Sequence, residues 1–253
     1  MNEWVLITGA SSGIGLELAR RFGAGQFNLV LVARNETRLR QLADELRAGN
    51  HIETRVVVQD LSAPDAAKLI FDQVKDIPVS ILVNNAGLGF YGPFAQSRFE
   101  EQSQMMQVNM TALVQLTHLF LPAMLARKSG RILNVASTAA FQPGPMINVY
   151  YASKAFVHSF SYALSLELEG SGVTATALCP GTTHTEFFSR GHFGSHRAPF
   201  TMSARDVAEA GYRGLMRGQR VVIPGWTNKI SSMLAKRLPL RLTTAVVRRI
   251  HSK

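Results

Sequence analysis

The chain has 253 residues, 46% of them hydrophobic and 17% charged, an ordinary soluble composition that suits one large α/β domain as well as two small ones. Its one cysteine, Cys179, excludes an internal disulfide and, at the end of an apolar run, reads as a small buried hydrophobe. The net charge of +10 lies entirely in the C-terminal part: Ala210 to Lys253 carry ten Lys or Arg and no Asp or Glu, while the first 209 residues carry seventeen of each sign.

The chain opens at once on a strand pattern at Trp4–Thr8, with no signal peptide and no apolar run of about 18 residues, so no membrane span is expected. A reducing cytoplasm fits the single cysteine. Further strands are predicted at Asn28–Ala33, Glu53–Val58, Ser80–Val83, Arg131–Ala136, Thr174–Cys179 and Arg220–Ile223. Helical periodicity fills the intervals at Gly13–Phe22, Glu36–Gly49, Pro64–Lys75, Phe99–Arg127, Val149–Glu169 and Ala204–Arg217. Leu88–Ser97 and Thr182–Ser203 read as irregular. Strands rich in Val, Ile and Leu that alternate with helices imply a single doubly wound parallel sheet, a Rossmann fold with helices on both faces. Such a sheet places its ligand at the carboxyl ends of the strands. The expected domain runs over 1–226, followed by a basic amphipathic extension over 227–253.

ITGASSGIG follows the first strand and opens the first helix. Gly9 allows a tight turn, Gly13 lets the backbone approach a pyrophosphate, and Gly15 permits close packing of helix on sheet. The free amides at Gly13 and Ile14 and the helix dipole favour an anion, and Ser11 and Ser12 add hydroxyl donors. The second strand ends at Ala33 and Arg34, with no carboxylate to bind a ribose 2′-hydroxyl. An arginine there pairs with a 2′-phosphate through its planar fork, so NADP(H) is the expected cofactor. Downstream, Tyr150 and Lys154 lie four apart on a predicted helix, thirteen residues and more after Ser137. That spacing puts them on one face, where the ammonium is expected to lower the phenol's pKa. Tyr151 points about 100° away and reads as packing or pocket wall.

The order TGASSGIG, Asp60–Leu61, NNAG at Asn84–Gly87, Asn109, Ser137, Tyr150–Lys154 and PGxxxT at Pro180–Thr185 closely resembles the short-chain dehydrogenase/reductase family, up to about Pro224. The resemblance implies Tyr150 as general acid for ketone reduction, or base for alcohol oxidation. Lys154 would tune it and hold the nicotinamide ribose, and Ser137 would bond the substrate oxygen. Asn109 would hold a water that links Lys154 to solvent. Asp60 and Leu61 would receive the adenine, Asn85, Ala86 and Gly87 would line its ribose, and Pro180, Gly181, Thr182 and Thr185 would grip the nicotinamide and phosphates. Family members are usually dimers or tetramers, so a homo-oligomer is expected.

Aromatic and apolar residues crowd the irregular segments: Phe187, Phe188, Phe193 and Phe200; Leu88, Phe90, Tyr91 and Phe94; Phe141, Met146 and Ile147. They imply an apolar pocket for a small apolar carbonyl or alcohol, and the resemblance implies that the segment at about 182–203 is the loop that covers the substrate. His184, His192 and His196 lack supporting acid or cysteine, and no metal is expected. In the basic tail, Ile230, Met233, Leu234 and Leu238, then Leu242, Val246 and Ile250, recur at helical spacing. Three readings stand: helices packed on their own domain or a sister subunit, a peripheral contact with an anionic membrane, or an acidic protein partner. No motif supports nucleic acid. The expected activity is NADP(H)-dependent reduction of an apolar ketone or aldehyde. The alternatives are a carrier-bound or CoA-bound 3-oxoacyl reductase and a non-enzymatic NADP sensor or scaffold.

Overall fold

Val, Ile and Leu dominate every short apolar run, and branched side chains favour the extended backbone. The computed structural model, which describes residues 3–187 and 201–251, turns these runs into β1 (Trp4–Thr8), β2 (Asn28–Ala33), β3 (Thr54–Val58), β4 (Val79–Asn84), β5 (Gly130–Val135), β6 (Val173–Leu178) and a short β9 (Val221–Val222). They form one sheet in the order β3-β2-β1-β4-β5-β6-β9, and every neighbouring pair is parallel. The order reverses between β1 and β4, which opens a crevice at the carboxyl ends of those strands. A separate two-stranded ladder joins β7 (Thr183–His184) to β8 (Met202–Ser203).

Helices cover both faces. On one lie α1 (Gly13–Ala24), α2 (Glu36–Asn50) and α7 (Ala204–Met216), whose Leu18, Phe22, Leu39, Leu42, Val207 and Leu215 share a core with Ile7, Leu31 and Val83. On the other lie α3 (Ala66–Gln73), α5 (Ala112–Ala126) and α6 (Asn148–Glu167), which bury Ile70, Leu116, Phe120 and Leu164 against Leu6, Val30 and Leu82. The sequence explains α2 well. Asn35 caps it, its side chain accepting from the Arg38 amide at 2.9 Å, and Leu39, Leu42, Ala43 and Leu46 recur on the buried face.

The doubly wound fold is as expected, with small shifts at the ends of elements. The predicted helix Phe99–Arg127 is continuous from α4 (Phe99–Met106) into α5, but it passes through a π-helical turn at Gln107–Thr111. By length and composition alone, Phe99–Ala126 is apolar enough to cross a membrane, a stretch the sequence reading did not single out. Its Val108, Leu116, Phe120 and Met124 lie in the protein core instead. The tail folds as α8 (Trp226–Arg237) and α9 (Leu240–His251), separated at Pro239, which cannot continue a helix.

Candidate active site

A cavity of about 1330 Å³ follows the carboxyl ends of the strands, and both ends of the sequence pattern open into it. Gly9 turns at φ +67, and a Cβ there would lie 2.8 Å from Asn85 Nδ2. At Gly15 a Cβ would lie 2.3 Å from the Gly9 carbonyl, so only glycine lets α1 start this close to the turn. Gly13, at φ +57, faces Thr185, whose Cγ2 would be 2.9 Å from an added Cβ. The Ser12 side chain makes no capping bond, so the first amides of α1 keep their donors for a ligand. This cradle fits a pyrophosphate. Gly9, Ser11, Ser12, Gly13 and Ile14 line the cavity, whereas Gly15 stands behind them as packing.

Thr8 fixes the opposite wall. Its hydroxyl donates to the Val83 carbonyl at 3.3 Å and accepts from the Asn85 and Ala86 amides at 3.0 and 3.1 Å. The Asn85 carboxamide donates to the Thr8 and Gly9 carbonyls, tying this loop to the glycine turn. Asn85, Ala86 and Gly87 thereby line the cavity. At the far end stand Arg34, Asp60 and Leu61. Arg34 Nη1 lies 3.5 Å from Asp60 Oδ2, and Asp60 Oδ1 accepts from the Ser62 amide at 2.9 Å. Burial opposes the Asp60 charge, but Ser62 and Arg34 outweigh it and hold the carboxyl below its usual range. Arg38 donates to both oxygens of Glu186 at 2.9 Å, a link from α2 to the segment after β7 that the sequence reading missed.

The middle of the cavity holds Ser137, Tyr150 and Lys154. Ser137 leaves β5 in an extended conformation, caps the 3₁₀ turn Thr138–Phe141 by accepting from the Ala139 amide at 3.1 Å, and donates to the Pro180 carbonyl at 3.4 Å. Lys154 Nζ donates to the Val135 carbonyl at 2.8 Å and lies 5.7 Å from the centre of the Tyr150 ring. Here the structure corrects an expectation. Burial pushes the Tyr150 phenol up to about 12, against the pull of Ser137, instead of down. Burial likewise lowers Lys154 to about 8, with Cys179 acting weakly the other way. The ammonium is spent on a backbone carbonyl, and desolvation of the phenol wins.

Asn109 does not line the cavity; it stands behind Lys154. The π turn directs its side chain inward, where it accepts from the Leu88 amide at 2.8 Å and donates to the Leu88 carbonyl at 2.9 Å and to Ser153 at 3.0 Å. A Cβ on Gly87 would lie 3.4 Å from Lys154 Nζ and 3.5 Å from Asn109 Oδ1, so the three meet at one point. Pro180, Gly181, Thr182 and Thr185 line the opposite side. Asn228 of α8 presses on Gly181, where an added Cβ would be 2.3 Å from its Oδ1.

Leu88, Phe90, Ile147, Tyr151 and Phe187 contribute apolar wall, and Phe187 packs 5.3 Å from the Tyr150 ring. Phe94 is largely exposed, and Phe141 packs against His158. Phe188, Phe193, Phe200, His192 and His196 lie outside the described residues. The wall the sequence did not foresee comes from the tail, where Leu234, Ala235, Leu238, Leu242 and Val247 close the cavity. Their helical spacing was visible, but nothing local told which face met the domain.

Residues 3–191 match the family model for short chain dehydrogenase. The chain is 32% identical over 241 residues to hydroxysteroid dehydrogenase-like protein 1 of Gallus gallus, covering 94% of this chain and 72% of that protein. It is 39% identical over 191 residues to sulfoacetaldehyde reductase 2 of Chromohalobacter salexigens, covering 74% and 75%. A short-chain dehydrogenase from Sphingobium yanoikuyae in complex with NADPH superposes with a TM-score of 0.86 at 34% identity, covering 93% of each chain. The chain is an oxidoreductase of the short-chain dehydrogenase family.

Proposed function

We propose that the protein reduces an apolar ketone or aldehyde to its alcohol, or catalyses the reverse, with NADP(H). One observation carries this reading: Ser137 and Tyr150 line the same cavity as the glycine cradle. Two hydroxyls that converge in this way suit a carbonyl oxygen, since each can donate to charge that develops there. The raised Tyr150 pKa keeps its proton at neutral pH, as an acid awaiting a reducible carbonyl requires. Ser137 orients the oxygen, and Tyr150 delivers its proton to it. Lys154 stands ready to hold a ribose hydroxyl at the cavity floor, and a positively charged nicotinamide beside Tyr150 would favour its ionised form after transfer.

The cradle of Gly9 to Ile14 would hold the pyrophosphate, and Arg34 with Asp60 the adenosine end. NADP is favoured because the cavity end carries the Arg34 guanidinium and β2 ends without a carboxylate. When bound, the cofactor supplies the hydride. The apolar wall of Leu88, Phe90, Ile147, Phe187, Leu234 and Leu238 selects for a hydrophobic substrate. A panel of cyclic and aliphatic ketones, aldehydes, hydroxysteroid ketones and 3-oxoacyl thioesters, followed by NADPH absorbance, tests the reading. Consumption with apolar carbonyls is expected. Tight NADPH binding with no consumption across the panel would leave the chain a cofactor sensor.

A further inference from the structure

The tail helix α8 is amphipathic the wrong way round for a helix packed only on its own domain. Small and polar residues face inward: Ser232 is 3% exposed, Ala235 is 8% exposed, and Asn228 presses on Gly181. The large apolar residues face out. Trp226 is 73%, Ile230 46%, Met233 50% and Leu234 47% exposed, spaced i, i+4, i+7 and i+8 along one stripe. Past Pro239, Leu240 and Leu242 are exposed as well, at 63% and 56%. Soluble monomers rarely leave so continuous an apolar surface uncovered.

Two further features say what covers it. Leu234, Leu238 and Leu242 are exposed and also belong to the cavity wall, so the active-site cavity opens onto this apolar surface. Lys229, Lys236, Arg237 and Arg241 are exposed on the same helices, within a segment that contains no acidic residue after Glu209. A two-fold pairing of this face with itself would bring those like charges together. A negatively charged, apolar surface complements both features. We propose that α8 and the first turn of α9 lie in the interfacial layer of an anionic lipid membrane, with the cavity mouth turned toward the acyl chains. An apolar carbonyl then enters from the lipid without crossing water, a consequence that rests on the reductase reading; the docking itself does not.

Lys229, Arg237 and Arg241 each add roughly fivefold to partition onto an anionic surface, on the order of a hundredfold for the three. The test is co-sedimentation of the full chain with phosphatidylcholine vesicles, with and without phosphatidylserine, at low and high salt. The intact chain is expected to sediment with the phosphatidylserine vesicles and to be released by salt. The exposed pair Ile230→Glu/Met233→Glu, whose side chains do not line the cavity, should weaken partition at least about tenfold. The triple reversal Lys229→Glu/Arg237→Glu/Arg241→Glu, which removes three cations and adds three anions, should weaken it by at least about a hundredfold. NADPH binding, measured on each variant, should stay at the parent value, which separates loss of docking from loss of fold or of the reductase site. Failure of the intact chain to sediment with phosphatidylserine vesicles would overturn the proposal, as would undiminished binding by both variants. So would ultracentrifugation in which the Ile230/Met233 variant turns an oligomer into a monomer, since the stripe would then be covered by a second copy.

Discussion

Tyr150 and Lys154 are tuned in opposite directions by the same burial, the phenol up to about 12 and the ammonium down to about 8. Their linkage to stability follows. Between pH 8 and 9 the folded chain without cofactor releases the Lys154 proton, while the unfolded chain, with a lysine at 10.5, still holds it. The unfolded state binds more protons there, so stability rises with pH across that window. Above 9 the unfolded Cys179 thiol ionises while the buried one, pushed up to about 12, does not, which offsets the rise; above 10 the Tyr150 phenol adds to this and the sign reverses. Urea unfolding at closely spaced pH values should show the rise in the parent chain and its absence in Lys154→Met. A flat parent profile would mean that the ammonium stays charged in the fold. Arg34 is the residue that sets cofactor choice in this account. Arg34→Ala should erase most of an NADPH preference of at least about tenfold, the worth of one charge-assisted pair; titration of both cofactors reads it directly, and an unchanged ratio would transfer the role elsewhere.

Among the elements, the glycine turn and the π turn show what could and could not be read from the chain. The tight turn at Gly9 and the close packing at Gly15 were legible, since each needs only the local order of strand, turn and helix. The close approach of Gly15 to the Gly9 carbonyl predicts a penalty: Gly15→Ala should cost about 1–3 kcal/mol and weaken cofactor binding in step. Calorimetry checks the first part, and a parent-like melting temperature would show that the turn can yield. The π turn at Gln107–Thr111 was not legible. One residue beyond a regular helix leaves no compositional mark, and the turn is held by bonds from Asn109 to Leu88 and Ser153, residues distant in sequence. The same holds for Arg38 with Glu186 and for Asn228 with Gly181. The expected depression of the Tyr150 pKa failed for a related reason: i, i+4 spacing sets proximity, but desolvation and the competing Val135 carbonyl are set by the fold.

At the scale of the whole molecule, the parallel sheet gathers residues from β1, β2, β4, β5 and α6 at one edge, and the tail completes the enclosure on the substrate side. Periodicity placed the strands and most helices because alternation of buried β runs with amphipathic helices is a property of the chain itself. It could not orient α8, whose apolar stripe faces out against the usual rule. The same enclosure puts Tyr150, the proposed proton donor, and the glycine turn in one cavity, and that convergence is the center of the account. Single-turnover consumption of NADPH by enzyme in excess over an accepted apolar carbonyl, compared between the parent chain and Tyr150→Phe, tests it most directly. The account predicts a rate lowered by about 10²–10⁴ in the variant with NADPH binding unchanged. A variant that consumes NADPH at nearly the parent rate would contradict it and assign the proton to another group.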